Sequence, residues 1–232
     1  MPSRGLKIGI AALTAFASLL LIGALLTVYF MPRQGSATVG VMGESEFVEP
    51  GSVPIGGSFT LVDHTGEAVT QADFEGKYLL VFFGFTYCPD ICPTTLSEIA
   101  KTMDMLGDEA GAVQPLFISV DPERDTPEVL AEYVAAFHPT ITGLTGTPEQ
   151  TAAVANAYRL YYEKTSAEKE AGGAAGAEGG GSYTVSHQGN TYLMSPEGEY
   201  LRHFSYGTPP EEMTASIRRA IDEFGASRTE GA

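Results

Sequence analysis

An α/β domain with a mixed sheet, carried behind an N-terminal transmembrane helix, is the fold class that this 232-residue sequence predicts. Three observations predict it. Ile8–Met31 is a run of 24 residues without a charge. Two short, nearly continuous apolar runs, YLLVFFGF (78–85) and QPLFISVD (114–121), have strand length, and each is followed by an amphipathic helical pattern. A hairpin signal and a last amphipathic helix then close the chain, so parallel strand–helix units give way to antiparallel pairing in one sheet flanked by helices.

The apolar run comes first. As a helix it spans about 36 Å, enough to cross a hydrocarbon core of about 30 Å with some tilt. Arg4 and Lys7 precede it, which favours a cytoplasmic N-terminus and export of the chain beyond Arg33. A cleaved signal peptide is the rival, but its apolar core runs about 7–15 residues, and the A-x-A triplets here lie deep inside the run. Residues 1–33 are therefore expected to be a short cytoplasmic N-terminus and anchor, single-pass in the inner (cytoplasmic) membrane, with the C-terminal domain in the periplasm or an equivalent exported compartment. Residues 34–52 are rich in Gly, Ser and Glu without periodicity, the composition of a flexible linker. The folded domain is expected over 53–226, with a disordered tail at 227–232.

Within that domain, SFTLVDHTGEAVT alternates around Asp63-His64-Thr65-Gly66, a hairpin signal. The 78–85 run reads as a central strand buried on both faces. Leu96, Ile99, Met103 and Leu106 recur at helical spacing behind Pro93, where the helix is expected to begin. Thr126-Pro127-Glu128 opens another helix by N-cap, N1 proline and first-turn acid, with Leu130, Val134 and Phe137 inward. Thr147-Pro148-Glu149-Gln150 opens a third with a capping box. EKTSAEKEAGGAAGAEGGGS (163–182) is low in complexity and reads as a flexible insertion. TYLMSPEGEYLRHF is a hairpin turning at Ser195-Pro196-Glu197-Gly198, and Thr208-Pro209-Pro210-Glu211 opens the last helix.

Charge excludes some functions. The chain carries −16 overall, and residues 34–232 hold all 29 acidic and 10 of the 13 basic residues, or −19. Such a surface repels nucleic acid and anionic membrane faces.

The two cysteines, Cys88 and Cys92, are the whole thiol complement and both precede proline. The residue before proline avoids helical dihedrals, so both are expected in the loop joining strand to helix. Free N–H groups and the dipole at that helix start favour thiolate there. A structural disulfide is the bland alternative, but closing so short a loop contributes about 2 kcal/mol against about 4.7 for a hundred-residue loop. Two chemistries stay open. One is thiol–disulfide exchange, although C-x-x-x-C departs from the usual C-x-x-C. The other is a soft metal such as Cu(I) held by two thiolates and an imidazole. Four histidines compete for that role. His64 reads as a solvated turn residue, His138 as a helix-end residue and His203 as a packed hairpin residue. His187, after the insertion and before a strand, is placed where a loop could fold over the cysteines.

FGFTYCPDICPTTL, FISVDPERDTPEVLAEYV, GLTGTPEQ and YTVSHQGNTYLMSPEGEYLRHF together resemble the SCO/SenC family of membrane-anchored copper chaperones, over essentially residues 53–224. The resemblance implies a thioredoxin-like fold and copper, Cu(I) or Cu(II), bound by Cys88, Cys92 and His187. It implies a role in loading the dinuclear copper centre of cytochrome c oxidase, with subunit II of that enzyme as partner and an upstream thiol reductant or copper donor as a second. Asp121 and Asp90 match family positions associated with supporting or partner contacts. Ser186 departs from the aspartate usual there, and the 163–182 insertion is longer than the family's loop. Residues 183–194 hold no proline where thioredoxin-type oxidoreductases place a cis-proline, and His187 falls in that region. A metallochaperone rather than a turnover enzyme is the expected role. The alternatives are a thiol–disulfide reductase of copper-site cysteines, with Cys88 and Cys92 as its redox pair, and a redox or copper sensor. A thiol peroxidase has no use for the histidine.

Overall fold

The computed structural model describes residues 47–166, 183–187 and 189–225. All of them belong to one of two units of the chain, Ser45–Ala232; the other, Met1–Glu44, lies outside the described residues, and the expected membrane span Ile8–Met31 lies with it. Among the described residues no helix is long and apolar enough to cross a membrane. The expected tail 227–232 also lies outside them.

Nine strands are described: β1 (Thr60–Asp63), β2 (Ala68–Thr70), β3 (Tyr78–Gly84), β4 (Val113–Ser119), β5 (Thr142–Thr145), β6 (Tyr162–Ser166), β7 (Tyr183–His187), β8 (Thr191–Met194) and β9 (Tyr200–Phe204). The helices are α1 (Ile91–Leu106), α2 (Pro127–Ala135), α3 (Pro148–Ala157) and α4 (Pro210–Gly225), with short 3-10 turns at Gln71–Phe74 and Gly107–Ala112. Seven strands form one sheet in the order β2-β1-β5-β4-β3-β8-β9, and β6 pairs with β7 apart from it. β3, β4 and β5 are parallel, while β1/β5, β3/β8 and β8/β9 are antiparallel. The sheet is mixed, as its alternation of crossover helices and hairpins requires.

β3 is the spine. All seven of its residues are buried, because β4 and β8 take its two edges and helices take its two faces. Its alternation sorts the layers. Tyr78 donates its hydroxyl to the Ala220 carbonyl of α4 at 3.0 Å, and a Cβ on Gly84 would stand 2.8 Å from the Cys92 sulfur of α1. The same face carries Phe82, whose β4 partner Phe117 lies 5.5 Å from the Tyr133 ring of α2. Phe83 points the other way, with Tyr158 behind α3 (5.1 Å) and Tyr192 (6.2 Å). Thus α1, α2 and α4 cover one face and α3 the other. Removing a side chain as buried as Phe82 or Phe83 from water is worth about 1.5–3 kcal/mol.

The caps follow the sequence reading. Thr126 accepts from the Val129 amide at 3.4 Å. Thr147 accepts from the Gln150 amide at 3.2 Å while Gln150 accepts from the Thr147 amide at 2.8 Å, closing the box ahead of α3. Thr147→Ala is expected to cost about 1 kcal/mol, read as a lower urea midpoint with an unchanged slope.

Three local expectations are corrected. α1 starts at Ile91, not Pro93, and so takes Cys92 into its first turn. Proline is tolerated that early because its missing N–H has no carbonyl to reach within the helix. Glu163–Ser166, expected inside the flexible insertion, are strand β6, in register with β7 from Tyr162↔His187 to Ser166↔Tyr183; residues 167–182 lie outside the described residues. His64 is not a solvated turn residue. Its amide donates to the Gly143 carbonyl (2.9 Å) and its Nδ1 accepts from the Gly143 amide (3.1 Å), which joins the β1 turn to β5.

Candidate metal centre

The site begins where β3 and β4 end together. Gly84 faces Ser119 as the last parallel pair, and the Val120 amide donates back to the Gly84 carbonyl at 2.8 Å. Two loops leave this edge, Phe85–Asp90 toward α1 and Val120–Thr126 toward α2. The carboxyl end of parallel strands is where α/β sheets form their crevices.

Cys88 lies in the first loop, half-buried, its amide donating to the Phe85 carbonyl at 3.2 Å. Cys92 lies in the first turn of α1 and is fully buried. Its amide is one of those that a helix start leaves without an intrahelical acceptor, and it donates to the Cys88 sulfur at 3.4 Å. The two are thiols, with no disulfide between them. Burial pushes the Cys92 thiol well above its ordinary range, ahead of the opposing backbone contact from Phe85 and the further rise from Cys88 and Asp125. The expectation that the helix start favours thiolate fails at this residue, because desolvation outweighs a dipole that acts over a single turn.

A polar network anchors both loops. Asp125, fully buried, accepts from the Thr86 hydroxyl (2.6 Å), the Thr86 amide (3.2 Å) and the Ser119 hydroxyl (2.6 Å). It therefore ties the cysteine loop, the end of β4 and the start of α2 into one body. Asp121, also fully buried, donates its amide to Ser119 Oγ and accepts from Arg124 Nε. The Arg124 guanidinium lies over the rings of Tyr87 (4.9 Å) and Phe85 (5.9 Å), so Asp121 reaches the cysteine loop through Arg124. Asp90 is exposed and occupies the N-cap position without a side-chain cap; its carbonyl accepts from the Thr94 amide at 3.1 Å.

His187 is placed by its backbone. It ends β7 opposite Tyr162, four residues before Thr191 pairs with Phe82 on β3. Because β8 runs antiparallel to β3, the chain before Thr191 lies beyond the carboxyl end of β3, the end that carries the cysteines. At Gly189 the approach is direct: a Cβ there would meet Ile91 Cγ2 at 3.2 Å, next to Cys92. Among the described residues no three His, Cys, Asp or Glu side chains form a metal cluster, and the His187 side chain is not among those described. The other histidines have other work. His138 sits between Asp104 (3.5 Å) and Thr140 (2.8 Å). His203 meets the Tyr200 hydroxyl at 2.7 Å, and burial, with Arg202 second, holds its pKa below 6.5.

Five residues that shape or anchor the site were not read from the sequence as having a role: Gly84, Thr86, Ser119, Arg124 and Asp125. A polar Ser119 inside the apolar run LFISV was the available signal for the third.

A mixed sheet with helices on both faces and a cysteine pair at the start of the first long helix defines a thioredoxin-like protein with its thiols at the usual functional edge. The chain belongs to the SCO1/SenC family, whose model matches residues 48–222. It is 42% identical over 170 residues to the mitochondrial SCO2 homolog of Bos taurus, covering 72% of this chain and 60% of that one. With the mitochondrial SCO1 homolog of Homo sapiens it shares 41% over 165 residues, covering 70% of this chain and 52% of the relative. The chain thus spans between half and three fifths of the length of these relatives. Among solved structures it resembles ScoI of Arabidopsis thaliana with copper bound (TM-score 0.65, 40% identity, 73% of this chain and 99% of that one). ScoI of Bradyrhizobium japonicum with copper bound gives TM-score 0.62 and 41% identity over 71% and 98%.

Proposed function

We propose that this chain binds one copper ion as cargo and hands it on during assembly of cytochrome c oxidase, with Cys88, Cys92 and His187 as its ligands. The observation that carries this reading is the unequal pair of sulfurs. Cys88 is half exposed and Cys92 buried, within one N–H···S contact, at a strand end toward which the His187 backbone runs. Two sulfurs and one imidazole suit Cu(I) better than zinc, which takes a fourth ligand. The half-buried Cys88 offers the route for ligand exchange with a docked partner's thiols, and the buried Cys92 holds the ion meanwhile. The relatives whose structures contain copper support the choice of metal. The partner of this reading is subunit II of the oxidase, reached from a membrane anchor at Ile8–Met31 with the folded domain in the periplasm or an equivalent exported compartment.

Copper binding requires both cysteines reduced. In an oxidising compartment the pair forms a disulfide, and its return to two thiols takes two electrons and two protons from a dithiol donor, so an upstream thiol reductant is the second partner. The same unequal pair favours one other reading: Cys88 attacks a partner's disulfide, Cys92 resolves the mixed disulfide, and the chain acts as a reductase of copper-site cysteines.

Competition for Cu(I) between the reduced full chain and a chromogenic chelator separates the two. The expected result is one tightly held ion, loosened at least tenfold, about 1.4 kcal/mol, by His187→Ala. Weak binding indifferent to that substitution would overturn copper transfer and leave the reductase.

A further inference from the structure

Among the described residues five large apolar side chains are exposed, and three of them, Tyr87, Val129 and Tyr206, stand at the end of the sheet that carries the cysteines. Exposed apolar groups gathered in one place mark an interaction surface, whereas the same groups scattered singly mark nothing. The strand order explains the gathering. β3 lies between β4 and β8, so the cysteine loop leaves with the start of α2 on one flank and the approach to β8 on the other. On the first flank Tyr87, next to Cys88 in the chain, is 68% exposed. On the second, Ile91 Cγ2 and Tyr206 Cβ each lie 3.2 Å from where a Cβ on Gly189 would be. Cys88 lies in the loop between Tyr87 and Ile91.

Tyr87 is exposed but not loose. The Arg124 guanidinium covers its ring at 4.9 Å, and the fully buried Asp121 fixes Arg124 in turn. The residue before it, Thr86, is bound through its amide and hydroxyl to Asp125. The fold thus holds an aromatic ring out in solvent, and the entropy of fixing it is lost before any partner arrives. A packing role would have turned the ring inward. Large, stiff aromatic side chains held in this way are the anchors of protein interfaces. The charge around the ring is one-sided. Asp90 and Glu123 are exposed on the two loops, and Asp121 offsets the Arg124 cation. The chain as a whole carries −16. Such a face attracts lysine and arginine on a partner's rim and repels an acidic one.

We propose that Tyr87, with Ile91 and Tyr206 across Cys88 from it, is the docking surface for the protein that takes the metal, a partner whose acceptor thiols sit on an apolar loop ringed by basic residues. This rests on the copper reading above, which makes subunit II of the oxidase that partner.

Surface plasmon resonance tests it, with the full chain binding the reduced, copper-free soluble domain of the same organism's subunit II at low and at physiological salt. Affinity is expected to fall as salt rises, and Asp90→Asn to flatten that dependence. Tyr87→Ala is expected to weaken binding at least tenfold, about 1.4 kcal/mol, and by more than it weakens Cu(I) binding against the chelator. Tyr87→Phe, which keeps the ring, stays within about threefold of the parent. Absence of binding by the parent, a Tyr87→Ala affinity within twofold of it, or an affinity that rises with salt overturns the proposal. So does an equal loss of partner and Cu(I) affinity, which marks a ring that packs the site. A loss confined to exchange with a dithiol reductant gives the surface to that other partner and likewise overturns the proposal. If the parent holds no copper, the copper reading fails by itself. The metal-free binding experiment still decides the surface, with the urea midpoint of Tyr87→Ala replacing the Cu(I) comparison.

Discussion

Asp125→Ala is expected to destabilise the domain by about 3 kcal/mol, because one buried and two part-buried donors lose their acceptor at about 1 kcal/mol each. Those donors are the Thr86 amide and hydroxyl and the Ser119 hydroxyl. Thr86 opens the cysteine loop, so the substitution also frees Cys88 and Cys92 from the sheet end, and Cu(I) affinity falls with stability. Asp125→Asn, which keeps an oxygen for Thr86, is expected to cost about half as much. The effect depends on pH with a definite sign. Burial raises the Asp125 carboxyl above its ordinary 3.8, against the pull of Ser119 and Thr86, and the nearby Asp121 adds to the rise. A raised folded value means that this group's contribution is complete below the ordinary carboxylate range and declines as pH rises through the folded value. The stability gap between parent and Asp125→Ala is therefore wider in acid than at neutral pH. Urea unfolding of both proteins across that range checks this; a gap that widens with rising pH would show the carboxyl to be stabilised as its anion.

Gly84→Ala is expected to be nearly as damaging to stability and more specific to the site. A methyl group at this position would stand 2.7 Å from Phe117 Cε2 and 2.8 Å from the Cys92 sulfur, closer than real Cβ contacts come. Overpacking of this kind costs about 1–3 kcal/mol. The ring and the sulfur give way by different routes. Adding Phe117→Leu relieves the first contact and is expected to recover part of the urea midpoint. It leaves the displaced sulfur, so copper affinity is expected to stay at least tenfold below the parent. Recovery of affinity together with stability would show that Gly84 serves only the ring.

These two residues mark where sequence reasoning stopped. Periodicity and caps identified β3, the four helices and both hairpins of the sheet, because each signal lies within a few residues: the uninterrupted run at 78–84, Thr126-Pro127, the Thr147/Gln150 box, Ser195–Gly198. The same local logic misplaced the start of α1, since Pro93 fits the third position of a helix as well as the first. It missed β6, whose partner β7 lies across a low-complexity segment that carries no pairing signal. It assigned His64 to solvent, because Gly143 is 79 residues away.

By itself, then, the sequence determined the order of the elements, the family through four ordered motifs, and two cysteines at the mouth of a helix. The tertiary structure decided what surrounds them: that Cys92 is buried and Cys88 only half so, that Asp125 ties the loop down, and that Asp121 reaches it through Arg124. The reason is physical. Helix caps, turns and alternation are interactions between neighbours in the chain, whereas burial and hydrogen-bond partnership at a site depend on which distant strands end side by side.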